Sequence, residues 1–136
     1  MLLVDTNILV AEAVNDDPYA AIVREYLRAS PREDLRVPSC ALFEAAQLIA
    51  RRKGPRAEAA FVRRLAAAGV IEEPAVADYS RAAAVMEQYA DFPLGTVDAL
   101  IVAMAERLGV TTLLTLDRRH FGAIKPAHCP SFQLAP

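Results

Sequence analysis

Apolar residues recur along the chain in two patterns, short runs that suit buried strands and longer stretches at helical spacing. Leu2-Leu3-Val4 is a run of the first kind. Asp5-Thr6-Asn7 breaks it with residues that cap helices well, and Ile8-Leu9-Val10-Ala11 then resumes, which predicts strand, turn, helix. A second helix is expected to start at Asp16-Asp17-Pro18, to present Ala20, Val23, Tyr26 and Leu27 to a core, and to end at Ser30-Pro31. An extended piece over Leu35–Val37 precedes Pro38-Ser39, where Ser39 can cap a helix over Cys40–Arg52 that Gly54-Pro55 stops. Pro55 opens a further helix that runs to Gly69. Val70-Ile71 reads as a short strand and Tyr79–Tyr89 as a helix. Thr96 caps a helix over Val97–Leu108, Gly109 ends it, and Val110–Leu116 is a threonine-rich strand, with a last one over Ser131–Leu134.

Strands alternating with helices predict an α/β layer fold around a mostly parallel sheet. The pattern contains no repeat, low-complexity segment or internal linker, so residues 1–136 read as a single domain. A chain of 136 residues, 54% of them hydrophobic and 24% charged, can bury one real core without staples. Cys40 and Cys129 lie far apart with no CxxC partner, which favours reduced thiols. The N-terminus reaches Asp5 without a basic segment or a long apolar one, and no apolar run approaches membrane-spanning length. The expectation is a soluble protein of the cytoplasm. Fifteen Lys+Arg against seventeen Asp+Glu give a net charge of −2, so whole-chain charge does not announce a nucleic-acid binder.

The acids are more informative than their sum. In open α/β sheets ligands bind beyond the carboxyl ends of the strands. Asp5 directly follows the first strand and Asp117 the strand ending at Leu116, so both carboxylates should emerge on one sheet edge. Glu44 shares a helix face with Ala41, Ala45 and Leu48, where a carboxylate is costly to bury without a cation or donors. Asp98 opens a helix that is apolar nearly all round. Each also has a plainer explanation: Asp5 as a helix cap, Asp98 as a favourable charge in a first helical turn, Asp117 as a turn residue. Glu44 has neither excuse, and one divalent cation held by oxygen ligands would account for all of them together.

The absences agree with hard-cation chemistry. No HExxH or CxxC supports zinc, and no Walker A or GxGxxG pattern supports a nucleotide fold. Nothing around Ser39 or Cys40 suggests a nucleophilic triad. Carboxylates with open water positions suit Mg2+ or Mn2+.

Val4-Asp5-Thr6-Asn7-Ile8-Leu9, the Glu44 helix, Thr96-Val97-Asp98-Ala99-Leu100-Ile101-Val102-Ala103 and Leu114-Thr115-Leu116-Asp117-Arg118-Arg119-His120-Phe121 together resemble the PIN domain. More narrowly they resemble the VapC toxins of VapBC toxin–antitoxin pairs, in order and over essentially the whole chain. The resemblance implies a three-layer α/β/α fold, Mg2+- or Mn2+-dependent endoribonuclease activity and inhibition by a VapB-like antitoxin. It implies Asp5 and Asp98 as principal metal ligands, Glu44 and Asp117 as the rest of the acidic pocket, and Asn7 and Thr115 as supporting polar residues. Phe92-Pro93-Leu94-Gly95 takes no function from it.

RNA approaching an acidic pocket needs positive charge nearby. Arg118 and Arg119, with His120 and Lys125, follow Asp117 and are placed to hold phosphate; Arg51-Arg52-Lys53, Arg56 and Arg63-Arg64 form another basic group. Arg63-Arg64 reads better as a solvated helix face, and His120 as a surface residue rather than a general base. The Ala-rich helices 57–68 and 82–89 have outer faces available to a homodimer or an antitoxin, or serve only the core. The competing readings are a non-catalytic interaction module on the same fold and a dehalogenase-like phosphatase. The phosphatase needs a second Asp two residues after the first, where this chain has Asn7.

Overall fold

The computed structural model describes residues 1–136. Five short strands form one sheet: β1 (Leu2–Val4), β2 (Leu35–Pro38), β3 (Ile71–Glu72), β4 (Thr112–Leu114) and β5 (Gln133–Ala135). Their spatial order is β3-β2-β1-β4-β5, and every pairing is parallel. The expected mostly parallel sheet is therefore wholly parallel. Parallel neighbours require crossovers, and seven helices supply them: α1 (Thr6–Ala13), α2 (Ala20–Ala29), α3 (Ser39–Lys53), α4 (Pro55–Ala68), α5 (Val76–Gln88), α6 (Thr96–Leu108) and α7 (Arg118–Ala123). Helices flank the sheet in a three-layer α/β arrangement.

The chain starts in the middle of the sheet, builds outward through β2 to β3, and returns to the other side of β1 for β4 and β5. The order thus reverses beside β1. Such a reversal opens a crevice at the carboxyl edge, because the connections leaving the two neighbouring strands diverge. The register sets Val4 beside Leu114, so the residues that leave β1 and β4 start level with each other.

One cluster of 32 buried residues fills the space between the layers. Helix α6 contributes most directly. Its seven consecutive residues Ala99–Ala105 are all buried, as its apolar sequence demands. Gly109 ends it at φ +68, a backbone region that L side chains rarely adopt.

Several boundaries differ from expectation for identifiable reasons. Asp17 does not begin a helix; its side chain accepts from the Tyr19 N–H and its carbonyl from the Ala20 N–H, so a turn precedes α2. Ser39 lies inside α3 and is no cap, because its hydroxyl donates instead to Glu73 at 2.7 Å. Thr96 is likewise the first helical residue of α6 and makes no capping bond; Gly95 holds the cap position. Helix α5 begins three residues earlier than its apolar pattern suggests. The buried Asp78 carboxylate accepts from the Ala75 N–H and from Arg107, which fixes that first turn. The strand expected over Val110–Leu116 is trimmed to Thr112–Leu114, Val70-Ile71 shifts to Ile71–Glu72, and the last strand moves to Gln133–Ala135. Both cysteines are free thiols, and burial pushes the Cys40 thiol up to about 11. No helix is long and apolar enough to cross a membrane.

Leu113 sits at the centre of this arrangement with no exposed surface. Leu113→Ala is expected to cost about 3 kcal/mol of unfolding free energy, read from denaturant titration. A loss below roughly 1 kcal/mol would show that the sheet centre is not packed as described.

Candidate active site

Asp5, Glu44, Asp98 and Asp117 line one cavity of about 760 Å³, together with Thr6 and Asn7. The sequence-predicted acids, separated by up to 112 positions, are therefore brought together. Each arrives from a different element: Asp5 from the end of β1, Glu44 from α3, Asp98 from the first turn of α6, and Asp117 from the segment after β4. Glu44 does not lie in the core as a buried charge. It is half-buried at the cavity wall beside Leu48, while Ala41 and Ala45 on the same helix face the core.

Asp5 is the most enclosed of the set, only 4% exposed. It caps α1 by accepting from the Thr6 N–H through Oδ1 at 2.7 Å, so the plain capping role and the site role coexist in one side chain. Its Oδ2 accepts from the Thr115 hydroxyl at 2.7 Å. That hydroxyl in turn accepts from the Asp117 N–H at 2.9 Å and, more weakly, from the Asn7 amide at 3.4 Å. The Asn7 carbonyl oxygen accepts from the Leu116 N–H at 3.0 Å. Asn7 and Thr115 thus join the end of β1 to the segment leaving β4.

Burial pushes the Asp5 carboxyl up to about 6; the bonds from Thr115 and Thr6 oppose the shift, and the nearby Asp98 and Glu44 charges add to it. Burial also raises Asp98, with the Asp117 and Glu44 charges raising it further and His120 opposing. These carboxylates repel one another across a shared, poorly solvated space. The Thr6 hydroxyl, buried against the same cavity, has no hydrogen-bond partner. No three His, Cys, Asp or Glu side chains stand together as a ready-made ligand set. The donor chemistry nonetheless fits a hard divalent cation: oxygen atoms only, excess negative charge, and an orphaned hydroxyl available to a coordinated water.

Asp117 has further attachments that the sequence did not reveal. It is the cap of α7, a helix too short for apolar periodicity to predict, and its Oδ1 accepts from the His120 N–H at 2.9 Å. Its Oδ2 lies 2.6 Å from His120 Nδ1. His120 is therefore a partner of a site carboxylate rather than a free surface residue. An Asp three residues before a His, just after a strand, was the available signal.

The basic residues also separate. Arg52, Arg118 and Arg119 line the cavity. Arg52 pairs with Asp17, and Arg118 donates to the backbone carbonyl of Pro136. Arg119 has neither an ion pair nor a hydrogen bond; its guanidinium stands over the Phe92 ring, 5.7 Å from the centroid. Lys53 pairs with Asp16 and Arg64 with Glu12, in keeping with a solvated face. A second cleft of about 580 Å³ lies between α1, α2, β2 and α4, but its single acid, Glu12, is already held by Arg64. It offers no carboxylate cluster.

A parallel sheet with acids gathered at its switch point defines a class of α/β hydrolytic site, and comparison with known proteins places it. The family model for the PIN domain matches residues 2–125, and the chain belongs to that family. It is 35% identical over 136 residues to Ribonuclease VapC26 of Mycobacterium tuberculosis, covering 99% of this chain and all of that protein. Within the family the chain thus groups with the VapC ribonucleases. The fold matches the crystal structure of M. tuberculosis VapC20, a sarcin-ricin loop cleaving toxin, with a TM-score of 0.83 at 19% identity, over 90% of this chain and 95% of that one. It also matches the DNA-bound VapBC structure from Salmonella typhimurium, with a TM-score of 0.75 at 18% identity, over 98% and 95% of the two chains.

The raised Asp5 carboxyl predicts a stability signature. Its ordinary value is 3.8 and its folded value about 6, so the folded chain holds this proton more tightly than the unfolded one. The resulting stabilisation is complete below the ordinary value and is lost as pH rises through about 6. In EDTA, wild-type stability should therefore fall relative to Asp5→Asn between about pH 4 and about pH 7.5, by roughly 1–3 kcal/mol. Thermal or urea unfolding of both proteins across that range checks it, and parallel pH profiles would overturn it.

Proposed function

We propose that this chain is an endoribonuclease that hydrolyses RNA phosphodiester bonds at the acid cavity with Mg2+ or Mn2+, and that it is the toxin half of a pair restrained by a VapB-like antitoxin. The observation that carries the reading is the convergence of Asp5, Glu44, Asp98 and Asp117 on one cavity, in a chain whose relative over its full length is a VapC ribonuclease. Asp5 and Asp98 are the principal ligands in this reading, with Glu44 and Asp117 completing the pocket. A bound divalent ion supplies acidity to a water nucleophile and neutralises charge on the phosphoryl oxygens.

The chain's own residues do the positioning. Thr115 and the Thr6 N–H aim the two Asp5 oxygens, and Asn7 holds the backbone at Leu116 against α1. The repulsion that raises Asp5 and Asp98 without a cation becomes attraction for one. A dehalogenase-like phosphatase has no support here, since Asn7 holds its amide between Thr115 and Leu116 and offers no second carboxylate. A non-catalytic interaction module would not need a mutually repelling acid cluster. Exposed apolar side chains on α3 (Phe43) and α5 (Val76, Tyr79) support self-association or an antitoxin contact.

Asp98→Asn is expected to lower RNA cleavage at least about 100-fold while the fold is kept, and EDTA should abolish wild-type cleavage until Mg2+ or Mn2+ is restored. Metal-independent cleavage, or full activity in the variant, would reject the assignment. Thr115→Val removes the hydroxyl that holds Asp5. It should reduce cleavage by roughly 10–100-fold and raise the Mg2+ concentration needed for half-maximal rate, whereas Thr115→Ser retains both. Equal rates and metal requirements for Thr115→Val and wild type would remove Thr115 from the site.

A further inference from the structure

Among the arginines lining the acid cavity, Arg119 alone makes neither an ion pair nor a hydrogen bond, and the reason is geometric. Arg118 and Arg119 are successive residues in the first turn of α7, so their side chains diverge by about 100°. Arg118 turns to the Pro136 carbonyl. Arg119 turns to Phe92, in the segment between α5 and α6 that precedes Asp98. The His120 imidazole, on Asp117, also meets Phe92, with ring centroids 5.1 Å apart and planes tilted by 45°. One half-buried aromatic ring therefore supports two planar side chains between the segments that carry Asp98 and Asp117.

The disposition of Arg119 is chemically unusual. A guanidinium lining the same cavity as several carboxylates commonly forms a bidentate pair with one of them. Here it lies over an aromatic face instead, with its own side chain exposed. Cation–π contact restrains the guanidinium and leaves its N–H edge and outer surface to a ligand. Guanidinium planes and aromatic rings are the surfaces on which unpaired RNA bases stack.

We propose that Phe92 and Arg119 form a stacking shelf that takes a nucleobase of the RNA next to the scissile phosphate, making Arg119 a specificity-determining residue through its plane and not only its charge. This rests on the ribonuclease reading and goes beyond it by assigning a base-binding position. A phosphate contact would need only positive charge, which Lys supplies equally. A stacking shelf needs the planar guanidinium and the ring beneath it.

The test uses a six-nucleotide single-stranded RNA carrying 2-aminopurine at every second position and a terminal anisotropy label, with Ca2+ replacing Mg2+ to slow cleavage. Stacking quenches 2-aminopurine fluorescence; contact to phosphate alone does not. Wild type should bind with quenching. Arg119→Lys and Phe92→Leu should each lose most of the quench and bind about tenfold more weakly, and Arg119→Lys should keep the salt dependence of binding. Arg63→Ala, on the exposed face of α4, should match wild type. Phe92→Tyr, which keeps a ring, guards against loss of fold and should retain the quench. Binding without quenching, or quenching unchanged in Arg119→Lys and Phe92→Leu, overturns the shelf and leaves the ribonuclease reading intact. Failure of wild type to bind the RNA at all overturns both.

Discussion

The parallel pairing of β1 with β4 is the constraint on which the site depends. With Val4 beside Leu114, the Asp5 N–H donates to the Leu114 carbonyl, and the side chain of Asp5 meets the hydroxyl of Thr115. The Thr115 N–H is meanwhile committed to the Ala135 carbonyl on β5. Backbone pairing on both sides thus fixes a fully buried hydroxyl between two strand ends. A one-residue slip would invert the faces of β4, setting Leu113 and Leu114 against the wrong layers. Core burial and site geometry therefore enforce the same register.

That shared constraint lets the fold hold a carboxylate where burial opposes charge. Asp5 is displaced toward its neutral form by burial and by its acidic neighbours. An isolated side chain would relax away from such a position. Asp5 cannot, because it terminates β1, caps α1 and receives Thr115. Asp98 is restrained differently, by the seven buried residues that follow it on α6. The site is strained electrostatically and rigid mechanically, and a cation bound there would relieve the first without disturbing the second. Such opposition between stability and activity is common where charged groups must be held ready for a ligand.

The sequence disclosed what local pattern controls. Acids directly after apolar runs mark strand ends, and a helix apolar on every side, like 99–105, can only be central. The hydrophobic spacing placed Asp5 and Asp117 at strand ends and Asp98 at the start of a central helix, and the need for one shared cation grouped them with Glu44 ahead of the family resemblance. What stayed hidden depends on partners distant along the chain. Ser39 has the composition of a cap, yet Glu73, 34 positions away, takes its hydroxyl. The start of α5 depends on Arg107, 29 positions from Asp78. Phe92 carries no local signal at all. Its neighbours Arg119 and His120 become visible only once α7 exists, and α7 is too short for apolar periodicity to announce.

The hydrogen-bond inventory also reorders the acids. Asp117 uses one oxygen on the His120 N–H and the other on the imidazole, so its carboxylate is tied to α7 although each oxygen keeps a lone pair. Asp5 uses one lone pair on each oxygen, and both oxygens can accept again. No side chain of the protein holds Glu44 or Asp98 by a hydrogen bond, but the Gly95 backbone acts on the Asp98 carboxylate, which leaves the Glu44 oxygens the most available in the cavity. Glu44, whose place on an apolar stripe was the hardest to explain from sequence, is thus the acid with least structural occupation. Asp117 is the opposite case: by gripping His120 it fixes the turn from which Arg118 and Arg119 diverge. In the proposed reading its influence on an RNA ligand would run through α7 as much as through a metal, which is why equivalent loss of charge at Asp98 and at Asp117 should not produce equivalent enzymes.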